Sequence, residues 1–238
     1  MTIVLAKGRY RARQSRLAKD IEAAQSLRAR AFGCDDRDAL DALSMHILVE
    51  DVETGDVRCC FRMLLLPAAE VEQSYSAQFY DLSALQAYEG LLVEMGRFCI
   101  DPEVKIDPDV VRIAWGAMTA FVDKHDVKLM FGCSSFVGTD PTPYLNSFAV
   151  LAKKHLGPDH LRPKKKSNDV FCFDTILTTV HGPVRAMPSL LRTYLMMGGW
   201  VSDHAVIDPQ MNTMHVFTGV EVSRIPDVRK RLLRAVVG

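Results

Sequence analysis

The 238-residue chain carries 29 basic and 29 acidic residues, so its formal net charge is zero. Composition therefore predicts no general affinity for nucleic acid or for an anionic membrane. The length is sufficient for a proper hydrophobic core, and we expect residues 1–238 to form one domain.

Six cysteines are spread along the chain, and none has the paired spacing of a zinc site. Most lie in apolar runs, where a free cysteine packs as a small hydrophobe. No apolar run reaches the roughly 18 residues of a membrane span, and the N-terminus lacks a signal-peptide core. We therefore expect a reduced, cytoplasmic protein without a bound metal.

Apolar residues at helical spacing predict an amphipathic helix over 16–32. Two strands at 46–51 and 57–66 follow, joined by the turn Thr54-Gly55-Asp56. A polar, tyrosine-containing connection then leads to a strand at 91–100. The first half of the chain thus reads as a helix, a hairpin and a further strand.

Pro108 opens the second periodic stretch, which predicts a helix over 109–125. The later elements are predicted as a strand at 128–136, a helix at 143–155, a basic loop at 162–169, a strand at 170–180, a helix at 188–197 and closing strands at 200–208 and 213–222. This alternation predicts an α/β fold with a mixed central sheet flanked by helices.

The run Glu94-Met95-Gly96-Arg97-Phe98 is similar to the Glu-x-x-Arg-Phe strand of acyl-homoserine-lactone synthases, and Arg62 resembles the arginine on their preceding strand. A wider match, through most of the chain, is to the ornithine-lipid biosynthesis N-acyltransferases. The segments that carry it are LRARAF at 27–32, HILVEDVETGDVRCCFRML at 46–64, EMGRFCIDP at 94–102, FGCSSFVGTDP at 131–141, HLGPDHLRPK at 155–164 and YLMMGGWVSDHAVIDPQMNTMHVFTGVEVSRI at 194–225.

Both families have the GNAT fold. The resemblance implies transfer of a 3-hydroxyacyl chain from acyl carrier protein to the α-amine of ornithine, which gives lyso-ornithine lipid without a bound cofactor. The chain departs from the family pattern at Ser44-Met45, where the family often has Cys-Asp. It also lacks the family's aspartate or asparagine before the aromatic pair near Thr213–Phe217. These departures bear on the acceptor amino acid rather than on the fold.

Amide formation from a thioester needs a neutral amine, an acceptor for its proton and donors for the developing oxyanion. Glu94 lies in an apolar run, where burial makes a carboxylate a better proton acceptor, and we predict that it is catalytic together with Arg97. Alternatively, Glu94 is a structural ion-pair partner of Arg97 or Arg62. A spacing of three puts Glu94 and Arg97 on opposite faces of a regular strand, so a shared site depends on the strand bulge that the resemblance implies.

Further residues are predicted to bind substrate: Arg62, Arg28, Asp38, Asp41, His46 and Phe98. The resemblance gives Asp38 and Asp41 the role of holding a cationic substrate, although either could cap a helix. Arg28 falls on the apolar face of the first helix and is expected either to contact an acceptor carboxylate or carrier phosphate, or to be buried and paired. His46 is either a site residue or a structural histidine.

The loop Asp101–Pro108 has no glycine and three acids, so it is a poor cradle for the pyrophosphate of coenzyme A. An acidic carrier protein would instead dock on basic surface. The predicted docking residues are Arg162, Lys164, Lys165 and Lys166, with Arg9, Arg11, Arg13 and Arg16 as the second choice. Either cluster could also be plain solvated surface.

The segment 229–236 is a short basic amphipathic tail. It either contacts the inner face of a membrane, where the lipid product would also lie, or simply solubilises the terminus.

Two rival functions remain at this point. Acyl-homoserine-lactone synthesis is disfavoured because the tryptophan that those enzymes place soon after the first helix is missing; the chain has only Trp115 and Trp200. A catalytically silent protein that binds carrier protein or lipid is disfavoured because Glu94 and Arg97 are both retained.

Overall fold

The computed structural model describes residues 4–103, 107–176 and 187–235. In chain order the strands are β1 (Val4–Lys7), β2 (Tyr10–Ser15), β3 (Met45–Asp51), β4 (Val57–Pro67), β5 (Tyr80–Asp81), β6 (Leu91–Ile100), β7 (Val127–Val137), β8 (Lys164–Lys165), β9 (Val170–Cys172), β10 (Trp200–Asp208) and β11 (Thr213–Glu221). The helices are α1 (Ala18–Phe32), α2 (Leu40–Leu43), α3 (Pro108–Lys124), α4 (Leu145–Lys154), α5 (Ser189–Met196) and α6 (Asp227–Arg234).

The chain divides into two compact units. The first comprises residues 1–65, 93–127 and 227–238, and the second comprises 66–92 and 128–226. That the whole chain behaves as one domain stays a prediction.

The first unit is built on strands in the order β1-β2-β3-β4-β6, and β1 to β4 pair antiparallel with their neighbours. Ala24 and Leu27 of α1 pack with Cys60 and Cys99, so α1 lies against the β4 and β6 region of this sheet. Helix α3 contacts β1, β2 and β3, and α6 packs on α3. Burial of the apolar face of α1 therefore fixes the helix beside the strand that carries Glu94.

The second unit contains strands in the order β7-β11-β10-β9 and a separate two-stranded pair, β5 with β8. The register of β10 against β11 shifts between Val201 and Ala205. There the Ser202 hydroxyl donates to the carbonyl of His204 at 2.7 Å and accepts from the backbone N–H of Phe217 at 3.1 Å. The irregular backbone is thus satisfied by a side chain within the sheet.

The predicted helices at 16–32, 109–125, 143–155 and 188–197 are present with shifts of a few residues at their ends. The strand predicted at 170–180 was too long, because β9 ends at Cys172 and a short turn over Phe173–Thr175 follows; residues 177–180 lie outside the described ranges. The predicted basic loop contains the short strand β8, which pairs with β5. None of the helices in the described ranges has both the length and the apolar content of a membrane span.

The N-terminal hairpin, β1 with β2, was not predicted from the sequence. Its arginines are paired: Arg13 contacts Asp20 at 2.7 Å and Glu50 at 2.6 Å, and Arg11 contacts Glu50 at 2.8 Å. Since these cations are neutralised by carboxylates of the same unit, they offer a poor docking surface. Carrier docking on the N-terminal arginines stays the less favoured prediction.

Candidate active site

All the predicted catalytic and substrate-binding residues lie in the first unit, and most of them gather at the segment that joins α1 to β3. Three arginines from three different elements converge there on three aspartates. The six residues are Arg28 of α1, Arg62 of β4 and Arg97 of β6, with Asp36, Asp38 and Asp41. We call this set the ionic network.

Arg28 is at the buried end of the ionic network, with only 1% of its side chain exposed. Its Nε contacts Asp36 Oδ1 at 2.9 Å, and its two terminal nitrogens contact the oxygens of Asp41 at 2.7 and 2.9 Å. The fork of the guanidinium is therefore occupied by carboxylates. Arg28 is thus buried and paired, which was one of its two predicted states, and its part in substrate binding stays a prediction.

Arg62 links the buried end of the network to its outer end. Its Nη1 lies 2.7 Å from Asp41 Oδ1, and its guanidinium also binds both oxygens of Asp38, at 2.5 and 2.8 Å. Such a two-point contact fixes the plane of the Asp38 carboxylate. Asp38 is thus held in place before any ligand binds.

Arg97 completes the network and has an unusual backbone. Its Nε lies 2.9 Å from Asp36 Oδ2 and its Nη2 lies 3.3 Å from Asp38 Oδ2. Its φ of 58° is in the left-handed region, which costs a non-glycine residue about 1 to 2 kcal/mol. A strained residue within a strand that also carries Glu94 is the kind of feature that gathers at functional sites.

The backbone at Gly96 and Arg97 brings two successive positions to one face of β6. A Cβ added at Gly96 would lie 3.7 Å from Nε of Arg62, while the side chain of Arg97 also reaches the network. This is the arrangement that a β-bulge produces. Glu94, two residues before Gly96 and buried, falls on that same face by strand alternation.

Hydrogen bonds keep Asp38 and Asp41 of the network ionised although burial alone would favour their neutral forms. Burial by itself raises the pKa of Asp41, but hydrogen bonds from Arg28, Gln25 and Arg62 lower that pKa well below its usual range. The pKa of Asp38 is lowered in the same way, mainly by the hydrogen bonds from Arg62. Both carboxylates are therefore ionised at neutral pH.

His46 is buried beneath the network, where burial lowers its pKa. Its Nε2 lies 2.9 Å from the backbone carbonyl of Asp41, so this nitrogen carries the proton and donates it. Of the two roles predicted for His46, the contact supports the structural one. Phe98, on the other face of β6, stacks on Phe61 with ring centroids 5.5 Å apart.

The network is accessible at one end only. The side chain of Asp38 is 25% exposed and that of Arg97 is 14% exposed, whereas the other four members are at most 4% exposed. Solvent therefore meets one carboxylate and one guanidinium side by side. We call this pair the open end of the network.

Asp36 belongs to the network but was not predicted from the sequence. It is the second acid of the run Asp35-Asp36-Arg37-Asp38, and only the facing Arg28, on the apolar side of α1, could have indicated a buried acid there. Such a run normally indicates solvated surface.

The N-terminus of α3, where many nucleotide-binding proteins hold a phosphate, is occupied by the protein itself. The carboxylate of Asp107 accepts from the backbone N–H of Asp109 at 2.9 Å and from the Tyr10 hydroxyl at 2.9 Å. A carboxylate at this position satisfies the free N–H groups and repels a second anion. Residues 104–106 of the predicted loop lie outside the described ranges.

The predicted docking cations lie in the second unit, and two of the four are already engaged. Arg162 donates to the carbonyl of Gly157 at 3.0 Å and to Asp159 at 2.6 Å. Lys166 donates to the carbonyl of Ala77 at 2.6 Å. These contacts give Arg162 and Lys166 a local structural role.

Lys164 and Lys165 form the exposed strand β8, opposite Asp81 and Tyr80 of β5. A hydrogen bond with the Cys172 thiol raises the pKa of Lys165, so its charge is kept. Of the exposed cations in this cluster, Lys164 and Lys165 are the two that strand pairing holds in a fixed position.

A family model and two solved structures identify the fold. Residues 18–115 match the family model described as an acetyltransferase (GNAT) domain. The structure of FeeM, an N-acyl amino acid synthase from uncultured soil microbes, aligns over 91% of this chain and 94% of its own with a TM-score of 0.52 at 9% identity. The loading GNATL domain of CurA from Lyngbya majuscula aligns over 91% and 99% with a TM-score of 0.53 at 9% identity. The chain has a GNAT fold.

Two curated relatives of this chain share one name. The L-ornithine N(alpha)-acyltransferase of Rhodobacter capsulatus is 29% identical over 87% of this chain and 88% of its own length. The enzyme of the same name from Brucella abortus is 29% identical over 92% and 87%. The predicted α/β GNAT fold and the predicted resemblance to ornithine-lipid acyltransferases are both confirmed.

Proposed function

We propose that this protein is an N-acyltransferase that transfers a 3-hydroxy fatty acyl group from acyl carrier protein to the α-amine of ornithine, giving lyso-ornithine lipid. The observation that carries the proposal is the open end of the ionic network, where Asp38 and Arg97 offer one negative and one positive group. Similarity to L-ornithine N(alpha)-acyltransferases over most of the chain supports the same acceptor.

Ornithine fits this end by charge. The α-carboxylate takes the place of Asp38 at Nη2 of Arg97, where the two side chains are now 3.3 Å apart, and the freed side of Asp38 binds the δ-ammonium group. Arg62 and Asp36 hold these two groups in place before binding, so little side-chain entropy is lost on binding. The α-amine lies between the two ends of the amino acid and is directed toward the face of β6 that carries Glu94.

The chemical step follows from that placement. The amine nitrogen attacks the thioester carbonyl, a C–N bond forms, and the C–S bond breaks; a further proton of the nitrogen goes to the departing sulfur, which leaves as the phosphopantetheine thiol. An α-ammonium with a pKa of about 8 must lose a proton to become a nucleophile, and Glu94 accepts it. The irregular backbone at Arg97 turns N–H groups toward the thioester oxygen, where they stabilise the developing negative charge.

The donor in this proposal is a carrier-protein thioester rather than free coenzyme A. The carboxylate of Asp107 fills the N-terminus of α3, where a coenzyme A pyrophosphate would need free N–H groups. A carrier protein presents only a phosphopantetheine arm and makes its other contacts through its own acidic surface.

The reaction itself is tested with purified protein, a 3-hydroxyacyl donor on either carrier protein or coenzyme A, and a panel of amino acids, with lipid products analysed by mass spectrometry. We expect N-acyl-ornithine as the main product and a kcat/KM at least tenfold higher with the carrier-protein donor. Comparable values with both donors would refute the carrier preference. Product from S-adenosylmethionine in place of ornithine would favour lactone synthesis, and no product with any acceptor would favour a silent binding protein.

Carrier docking is proposed to involve the cluster Arg162, Lys164, Lys165 and Lys166, with Lys164 and Lys165 making the contact. Replacing these two lysines with glutamate should raise the KM for carrier protein by about tenfold and weaken its salt dependence, with kcat nearly unchanged. The matched control replaces Lys153 and Lys154, exposed on α4, with glutamate. An unaltered KM in the β8 variant would mean that carrier protein binds elsewhere.

A further inference from the structure

The C-terminal helix α6 belongs to the first unit and is strongly basic. It carries one acidic and four basic residues over its eight positions. It packs on α3, and Arg234 makes two contacts with the carboxylate of Asp123, at 3.0 and 2.9 Å. Lys230 and Leu233 are the half-buried residues of α6, so together with Arg234 they mark the side of the helix that faces α3.

The opposite side of α6 exposes an apolar ridge. Val228 and Leu232 are four residues apart and therefore lie on one face, one turn above the other. Their exposed fractions are 60% and 57%, among the larger values for bulky apolar residues in the described part of the chain. At 100° per residue, Arg234 points about 160° away from Leu232, so the ridge faces away from α3.

Two cations border this ridge. Arg229 and Arg231 lie about 80° to either side of the line that joins Val228 to Leu232. Long cationic side chains in this position can extend their charged ends past an inserted apolar ridge toward phosphate groups. A narrow apolar ridge with a cation on each side is the pattern of helices that lie in a membrane interface.

We propose that the outer face of α6 binds the surface of an anionic phospholipid membrane. Val228 and Leu232 enter the boundary between headgroups and acyl chains, and Arg229 and Arg231 pair with lipid phosphates. A fluid interface needs no matching shape, which suits a convex ridge of two aliphatic side chains better than a folded partner would. The inference is independent of the proposed reaction, because it depends on α6 alone.

Co-sedimentation of the full chain with vesicles tests this, using sucrose-loaded vesicles of phosphatidylcholine alone or mixed equally with phosphatidylglycerol. The wild type should bind the mixed vesicles at least tenfold more tightly than the neutral ones, and about 0.5 M salt should remove most of that difference. Val228→Asp with Leu232→Asp should weaken binding about tenfold or more, as should Arg229→Glu with Arg231→Glu.

Matched controls separate this face from general effects of charge and exposure. Val137→Asp changes another exposed aliphatic residue, and Lys153→Glu with Lys154→Glu reverses two cations outside α6; both should bind vesicles as the wild type does. Thermal melts should show that every variant is folded. Failure of the wild type to bind anionic vesicles, or equal loss in the control variants, would overturn the inference. Vesicles contain neither donor nor acceptor, so this result does not depend on whether acyl transfer is observed.

Discussion

Replacing Glu94 with glutamine is expected to lower kcat for acyl transfer by about 100-fold or more, because glutamine keeps the size of the side chain but cannot accept the amine proton. The loss should shrink as the pH rises above about 8, where the amine of the acceptor loses its proton to water. Steady-state kinetics with the carrier-protein donor, measured from about pH 6 to about pH 9 in steps of roughly half a pH unit, would test both effects.

The matched control for this variant is Glu53→Gln, an exposed carboxylate in the turn after β3, which should leave kcat unchanged. A Glu94→Gln enzyme with near-normal turnover and an unshifted pH profile would reduce Glu94 to a structural residue.

Arg97→Ala should lower both activity and stability, since its removal leaves Asp36 and Asp38 without one of their partners.

Replacing Arg28 with methionine is expected to lower the free energy of unfolding by about 3 to 5 kcal/mol, because it leaves two carboxylates short of their cation in a buried site. These are Asp36 and Asp41. Arg30 lies on the same helix, is 45% exposed and pairs with Asp101 at 3.6 Å. Arg30→Met should therefore cost no more than about 1 kcal/mol. Urea unfolding of both variants measures the difference.

The difference in unfolding free energy between the wild type and Arg28→Met should depend on pH because the pKa of Asp41 is lowered in the folded protein. A carboxyl group with a lowered pKa in the folded protein stabilises it at neutral pH, and that contribution is lost as the pH falls from about 4 toward the folded pKa. The gap between wild type and Arg28→Met should thus narrow in acid. A gap that is already small at pH 7 would mean that the ionic network does not stabilise the first unit.

The sequence predicts the scaffold of the site well because its signals are local. Apolar periodicity identifies α1 and α3, and the EMGRF motif locates the strand that bears Glu94 and Arg97. Local patterns cannot show that Arg28, Arg62 and Arg97 meet on one acidic segment, since that depends on packing between distant elements. The left-handed backbone of Arg97 is likewise a property of the folded strand.

The N-terminal strands show that a local sequence pattern does not reveal whether charged residues are paired. Strand β2 reads Tyr-Arg-Ala-Arg-Gln-Ser, with arginines at alternate positions, and the sequence suggested a basic surface cluster. In the structure Arg11 and Arg13 pair with Glu50 across the sheet. The charges of neighbouring strands decide whether such a cluster is available to a partner, and those neighbours are 30 or more residues away in sequence.

We propose that Asp38 and Arg97 select an acceptor with a second cationic group and a carboxylate. The most direct measurement compares kcat/KM for ornithine, norvaline, which lacks the δ-amine, and putrescine, which lacks the carboxylate, in the wild type and in Asp38→Asn. We expect kcat/KM for ornithine to exceed that for each analogue by at least tenfold in the wild type. Asp38→Asn should reduce the ratio of ornithine to norvaline but leave the ratio of ornithine to putrescine unchanged. Equal use of ornithine and norvaline by the wild type would contradict it.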